Sequence, residues 1–390
     1  MILVCEMIFD SGSHIPFNAG LLATIRAAFP KEEIAFYGST GHLIDLKKQV
    51  GQTAASAIQW NEIQPIPPGP GYGKRFISEF RLIRRLFSKL HHSSTSRLLL
   101  TSAFPSTVLA VKIARLFGLK CSVIQIVLHK MSGVVGRRYR RPILRLRDMK
   151  TALSLLGNSG IQYLVLEEFI RHAVVKSIPQ LDGKIETLEH PIAPTEGGSK
   201  AVDLSNPIHF GFLGNTLKSK GYPLFVQVAN VITARYGRHA EFHVIGRCLD
   251  VCERVNGEEV LASKPAAAKL TRDEFVCAIS ALHYVILPHE TEAYTLTASG
   301  VLLDAIAWQK PVIARKIHMF EALFEKYGDI GYLFRDEADL ISIIEQILQT
   351  TDASRYRRQT ITLGDVRKSR DPETLAAAYR NLCRASEGKS

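Results

Sequence analysis

The stretch I-H-F-G-F-L-G-N-T-L-K-S-K-G, residues 208–221, decides the fold. An apolar run of strand length meets Gly214, a polar loop carrying Lys218 and Lys220 closes on Gly221, and a helical pattern, L-F-V-Q-V-A-N-V-I, follows. Strand, glycine loop and helix in that order open a βαβ unit. The alternation continues downstream with E-F-H-V-I-G, ending at Gly246, then L-H-Y-V-I-L-P, the helix S-G-V-L-L-D-A-I-A and the strand P-V-I-A. Upstream the same pattern runs from the start. The strands read I-L-V-C-E-M-I-F, E-I-A-F-Y-G, R-L-L-L-T-S-A-F, K-C-S-V-I-Q-I-V-L-H, I-Q-Y-L-V-L and K-I-E-T-L-E, with helices such as S-T-V-L-A-V-K-I-A-R-L-F-G between them. Short apolar strands separated by helices imply parallel sheets covered on both faces. The expected class is α/β, two facing Rossmann-like doubly wound domains.

A length of 390 residues suits two domains. The aperiodic, Pro- and Gly-rich segment at about 190–207 reads as a linker. The expected divisions are a first domain over 1–195, a second domain over 205–370, and a helix over 371–390 that crosses back to the first domain. With 46% hydrophobic and 22% charged residues, wholesale disorder is excluded. No apolar run approaches the roughly 18 to 20 residues of a bilayer-crossing helix. Glu6 and Asp10 interrupt the first residues before a secretory h-region forms, so a cytoplasmic protein is expected, peripheral on the inner face of the membrane if the basic helix described next is a lipid contact. Six scattered cysteines fit a reducing compartment, and Cys248 and Cys252 have no further ligand at metal spacing, so no metal site is read.

The net charge of +12 has a local source: residues 72–150 hold 18 of the 49 Lys and Arg but only Glu79 and Asp148 among the acids. Within it Phe76, Phe80, Ile83, Phe87 and Leu90 form one helical stripe, and Arg81, Arg84, Arg85 and Lys89 fall mostly on the other side. A second basic cluster occupies 136–147. An ordinary surface helix is the plain reading. An anionic membrane surface is the second, at about 1 kcal/mol per basic residue near the lipid. Nucleic acid is the third, and no recognition motif or stacking platform supports it.

Three features of the second domain suit a diphosphate. Gly214, Asn215, Lys218, Lys220 and Gly221 combine close backbone approach with positive charge. Thr297, Ala298, Ser299 and Gly300 are expected to open a helix whose free N–H groups form an anion site, with Asp304 one turn in, able to accept from ribose hydroxyls. Gly246 ends a strand at the crevice edge, where a base or ribose could approach.

These residues resemble the glycosyltransferases of the GT-B fold, most closely the family-4-like, sugar-nucleotide-dependent group. Gly214, Lys220 and Gly221 match the family's Gly-Arg…Lys-Gly loop. D-A-I-A-W-Q-K-P-V-I, residues 304–313, is similar to its Glu-Ala-Met-Ala-x-Gly-Lys-Pro-Val-Ile run, placing Asp304 at the ribose-binding Glu. Asn215 stands where the family has an Arg, and Leu296 where it has a second Glu, with Glu290 and Glu292 offset nearby. The T-x-T-A-S-G helix entry is similar to divergent members of bacterial surface-polysaccharide assembly. In the first domain H-I-P-F-N and the strand ending V-L-H carry the resemblance.

The resemblance implies sugar transfer from a nucleoside diphosphate sugar to a saccharide or lipid-linked saccharide in exopolysaccharide, capsule or lipopolysaccharide assembly. His14 is the candidate base toward the acceptor hydroxyl and His129 the candidate contact to the donor sugar, with Asp10 and Glu6 as further candidates. No D-x-D triplet occurs, and the expected chemistry needs neither metal nor cofactor. Two alternatives share the frame: a non-catalytic nucleotide- or saccharide-binding partner of another transferase, and a UDP-sugar epimerase.

Overall fold

A computed structural model describes residues 1–10, 14–66, 69, 71–90, 96–118, 121, 123–135, 139, 141–157, 160–193, 204–248, 255–268, 270–290 and 296–387. Most of the linker, Ser11–Ser13 of the loop before His14, Cys252, Glu292 and the basic residues 137, 138 and 140 lie outside the described residues. Contacts divide the chain into two compact units. Unit one comprises Met1–Pro194, Leu296–Ala298 and Ser369–Ser390, and unit two Thr195–Thr295 and Ser299–Lys368.

Unit one is built on a parallel sheet of seven strands, β1 (Ile2–Cys5), β2 (Ile34–Gly38), β3 (Ile58–Glu62), β4 (Arg97–Leu100), β5 (Val123–Val127), β6 (Ile161–Val165) and β7 (Ile185–Thr187). The spatial order is β3-β2-β1-β4-β5-β6-β7. Every residue of β1, β2, β4, β5 and β6 is buried, because helices cover both faces. β1 ends at Cys5, earlier than the apolar run suggests; the Glu6 N–H still donates to Tyr37 C=O of β2 at 2.9 Å, while its carboxylate accepts from Ile8 N–H at 2.9 Å as the chain turns away. β3 (I-Q-W-N-E) was not legible as a strand: it is an edge strand with one buried residue, two half-buried and two exposed. The helix Pro372–Glu387 packs on the helix Ile15–Ala28 and buries Tyr379, whose hydroxyl donates to Gln125 Oε1 of β5 at 2.7 Å. Just before it, the buried Arg370 holds both carboxylate oxygens of Glu167, at 2.8 and 3.0 Å.

Unit two carries five parallel strands, β8 (Ile208–Leu213), β9 (Ala240–Ile245), β10 (Tyr284–Leu287), β11 (Val312–Arg315) and β12 (Gly331–Phe334), in the order β12-β11-β10-β8-β9. Its core joins Phe210, Phe212, Phe225, Phe242 and Tyr284 across the strands and the helix Tyr222–Tyr236. In both sheets the order reverses next to the first strand, between β1 and β4 and between β8 and β10. Adjacent loops diverge there at the carboxyl ends, which opens a crevice in each unit. No helix of the described residues is long and apolar enough to cross a membrane.

Candidate functional site

In unit two the crevice lies at the ends of β8 and β10. Gly214 follows β8 with φ +89, a conformation that L side chains resist. A Cβ there would also stand 2.5 Å from the Lys220 ammonium and 3.2 Å from Val301 Cγ1, so the ammonium is folded back over bare backbone. Lys218–Lys220 form a 3₁₀ turn closed by Gly221 at φ +74, where a side chain would overlap the Pro288 carbonyl. The Glu290 N–H donates to Ser219 C=O at 3.0 Å, tying this loop to the segment after β10. Lys218 is exposed and Lys220 half-buried, so the loop turns one of its two lysines inward.

Against Lys220 stand two groups, His289 of the loop after β10 and Asp304 of the helix Gly300–Ala307. His289, fully buried after β10, has its pKa pushed down to about 3, chiefly by burial and then by the Lys220 charge, so it is neutral. Its Nε2 lies 3.5 Å from Ser299 Oγ. Ser299 is the N-cap of the helix Gly300–Ala307, accepting from Leu302 N–H at 3.4 Å. Asp304 sits on that helix's second turn, pushed up to about 6 by burial against the pull of Arg272 and Lys220. Burial in turn lowers Lys220, with Asp304 opposing. Lys220, the backbone of Gly214, the start of the Ser299-capped helix, His289 and Asp304 therefore form one cluster, and its Gly300 and Val301 N–H groups precede the first intrahelical bond.

Thr297 and Ala298 do not open this helix. They belong to unit one: Thr297 bridges Lys130, and Leu296 C=O accepts from Met131 N–H at 2.9 Å. The anion-type terminus starts at Gly300 because Ser299 supplies the cap. Gly246 is also required for packing, because a Cβ on it would overlap the Gly214 carbonyl. Lys310, in the K-P-V-I run, donates to Ser280 C=O at 2.8 Å and Leu282 C=O at 2.7 Å and so closes the end of the helix Arg272–Ala281. Asn215 C=O accepts from Leu217 N–H at 2.8 Å within the loop.

The crevice of unit one gathers a second cluster from the ends of β1, β4 and β5. Glu6 is fully buried, and its carboxylate accepts from Ile8 N–H at 2.9 Å, Thr101 Oγ1 at 2.9 Å and Ser102 Oγ. Burial alone would raise its pKa; His14 and these donors outweigh it and hold the carboxyl down at about 2. His14 Nδ1 lies 3.6 Å from Glu6 Oε2. His14 caps the helix Ile15–Ala28 in a left-handed conformation, φ +62, unusual for a residue with a side chain. Its ring lies over that of His129, centroids 4.0 Å apart. His129 Nε2 is 2.8 Å from Thr101 C=O, and a carbonyl only accepts, so Nε2 carries the proton and Nδ1 is bare. Burial, then the His14 charge, hold His129 well below its ordinary pKa, hence neutral. Phe17 packs edge-on to His129 and to His190, and His190 is pushed down to about 3 by burial.

The structure thus brings His14, His129 and Glu6 together, while the Asp10 side chain is exposed and its C=O accepts from Ser39 Oγ at 2.6 Å. Sequence reasoning missed His289, Thr101 and Ser102. The available signal was position: each directly follows a strand next to a reversal of strand order. On the helix Tyr72–Leu90, Ile83, Leu86, Phe87 and Leu90 are buried with Glu79, and Arg81, Arg84, Arg85 and Lys89 are exposed.

Two doubly wound units, each gathering polar groups at a reversal of strand order, define a two-unit α/β protein of Rossmann type. No family model matches the chain, and no curated protein matches it in sequence. Solved structures do. An E. coli trehalose-6-phosphate protein bound with UDP-2-fluoro glucose is 11% identical, at a TM-score of 0.64 over 98% of this chain and 99% of that one. Sucrose-phosphate synthase from Thermosynechococcus elongatus is 13% identical, at 0.67 over 100% and 99%. WaaG, a glycosyltransferase involved in lipopolysaccharide biosynthesis, is 11% identical, at 0.63 over 98% and 99%. The chain has the fold these proteins share, GT-B.

Proposed function

We propose that this protein is a glycosyltransferase that moves a sugar from a nucleoside diphosphate sugar to a hydroxyl of a saccharide or lipid-linked saccharide, in exopolysaccharide, capsule or lipopolysaccharide assembly. The observation that carries this reading is the unit-two cluster: an inward lysine over a glycine turn, facing a Ser-capped helix N-terminus. Negative charge grows on the diphosphate as the glycosidic bond breaks. Lys220 and the N–H groups of Gly300 and Val301 stabilise that charge without a metal, from positions fixed beforehand. Neutral His289 and Ser299 offer hydrogen bonds beside it, and Asp304 accepts from the ribose.

In unit one, the Glu6 carboxylate stands 3.6 Å from His14 Nδ1, and His14 Nε2 takes the acceptor's proton. His129 contributes its bare Nδ1 to hydroxyls of the donor sugar. The UDP-sugar ligand of the E. coli neighbour supports the donor class. A transfer assay with a panel of nucleotide sugars and saccharide acceptors tests the reading, which fails if none binds or turns over.

The basic face of unit one is proposed as a contact to anionic lipid. Tyr72 Oη donates to Leu146 C=O at 2.6 Å, joining the helix Tyr72–Leu90 to the turn Pro142–Arg147. Arg81, Arg84 and Arg85 with Arg141, Arg145 and Arg147 are exposed alongside Ile77 and Leu146. Cosedimentation with anionic vesicles that survives replacement of Arg81, Arg84 and Arg85 refutes this contact.

A further inference from the structure

The amino-end half of the unit-two sheet carries a constellation that sugar transfer does not use. His209 is the second residue of β8, Glu241 and His243 the second and fourth of β9. The parallel register pairs His209 with Glu241 and Gly211 with His243. Side chains alternate along a strand and register partners share a face, so all three project from one face while Phe210 and Phe242 enter the core on the other. The result is a near-equilateral triangle of donor atoms. His209 Nδ1 lies 2.9 Å from His243 Nε2, Glu241 Oε2 lies 3.4 Å from His209 Nδ1, and it lies 3.5 Å from His243 Nε2.

A tetrahedral ion with bonds of 2.0–2.1 Å separates its ligand atoms by about 3.3 Å. The three separations therefore lie within a few tenths of an ångström of one face of such a tetrahedron. The rings are also held from behind. His243 Nδ1 is 2.9 Å from Ser263 Oγ, on a segment paired alongside β9. His209 stacks on buried His283, ring planes 9° apart, and the His209 backbone N–H donates to His283 Nδ1 at 2.9 Å. The Ser263 contact fixes which His243 nitrogen faces an ion, and the stacking on His283 holds the plane of the His209 ring. The side chains remain 25%, 40% and 18% exposed in the order His209, Glu241, His243, so an ion can enter from solvent.

We propose that His209, Glu241 and His243 bind one transition-metal dication of the zinc type, with water in the fourth position. Two imidazoles and one carboxylate suit zinc, whereas magnesium and calcium prefer all-oxygen shells. The site is separate from the diphosphate cluster: five chain positions, about 16 Å of strand, separate His209 from Gly214. It staples β8 to β9 and stabilises unit two whenever the ion is present.

The test uses the untagged full-length chain, stripped with chelator, dialysed against zinc and analysed for bound metal, with cobalt absorption as a second readout. One equivalent of zinc per chain and a zinc-dependent rise in Tm are expected. His243→Ala and Glu241→Gln should lose the equivalent, and Ser263→Ala should keep it with affinity about tenfold weaker. Melts in chelator show whether each variant folds; the near-isosteric Glu241→Gln keeps the test decisive if an alanine variant does not. Zinc binding by the wild type no greater than by a His209→Ala/His243→Ala double variant overturns the proposal. No nucleotide or sugar enters this experiment, so its outcome is independent of the transferase reading.

Discussion

Replacing Lys220 with alanine removes the inward ammonium of the unit-two cluster. A hydrogen bond to a charged group is worth about 1.5–3 kcal/mol, and each 1.4 kcal/mol is tenfold, so diphosphate affinity should fall about 10- to 150-fold. The surroundings narrow the range. Lys220 opposes Asp304, whose carboxyl already sits at about 6; without the ammonium it rises further and takes up a proton more readily near neutral pH. At pH 8 Asp304 is ionised, repels the diphosphate unscreened, and the loss belongs in the upper half of the range. Adding Asp304→Asn should recover part of it. Exposed Lys218→Ala should stay within about twofold of the wild type, since exposed charge pairs contribute little. Calorimetric titration with a panel of nucleoside diphosphates at 0.15 M salt measures all four proteins. Affinities for Lys220→Ala within threefold of the wild type, for every diphosphate the wild type binds, refute the assigned role.

Three more outcomes follow from the unit-one crevice and its supports. His14→Ala should lower turnover about 10²- to 10⁴-fold with nucleotide affinity unchanged, as loss of a general base does; steady-state kinetics beside calorimetry separates the two. Glu6→Gln should be most destabilising at neutral pH. A carboxyl lowered from 4.5 to about 2 lends its stability above pH 4.5 and loses it as pH falls through 2, a span worth about 3 kcal/mol, so the Tm gap to the wild type should close in acid. Arg370→Met removes the buried guanidinium that holds both carboxylate oxygens of Glu167 and should cost about 3–5 kcal/mol in urea melts; an unchanged midpoint contradicts the burial argument.

The central strands were legible because burial on both faces writes them as unbroken apolar runs. β3 and β12 were not, and both lie at sheet edges: I-Q-W-N-E has one buried residue and G-Y-L-F is only four residues long with a half-buried centre, so neither shows a strong period. Strand ends locate candidate polar groups, which is how His14, His129, Lys220 and Asp304 could be named from the sequence. Which of them meet depends on spatial order. Glu6, Thr101 and His129 are brought together because β1 lies beside β4 and β4 beside β5, a fact absent from any local pattern. The His209, Glu241 and His243 triangle needs one register rather than another; a slip of one residue would send His209 to the opposite face. Thr297 and Ser299 are two residues apart yet belong to different units, because the serine is a cap and the threonine a bridge partner.

The grip of Arg370 on Glu167 and the burial of Tyr379 against β5 also set a timetable. Ribosomes add roughly 5–20 residues per second, and unit one lacks a wall of its core until partners 203 and 254 positions downstream of Glu167 and Gln125 have been translated. Unit two can close while its elder neighbour still shows apolar surface to chaperones. Stalled or prematurely terminated synthesis should therefore yield an aggregation-prone first half, even when every residue of its sheet is already made.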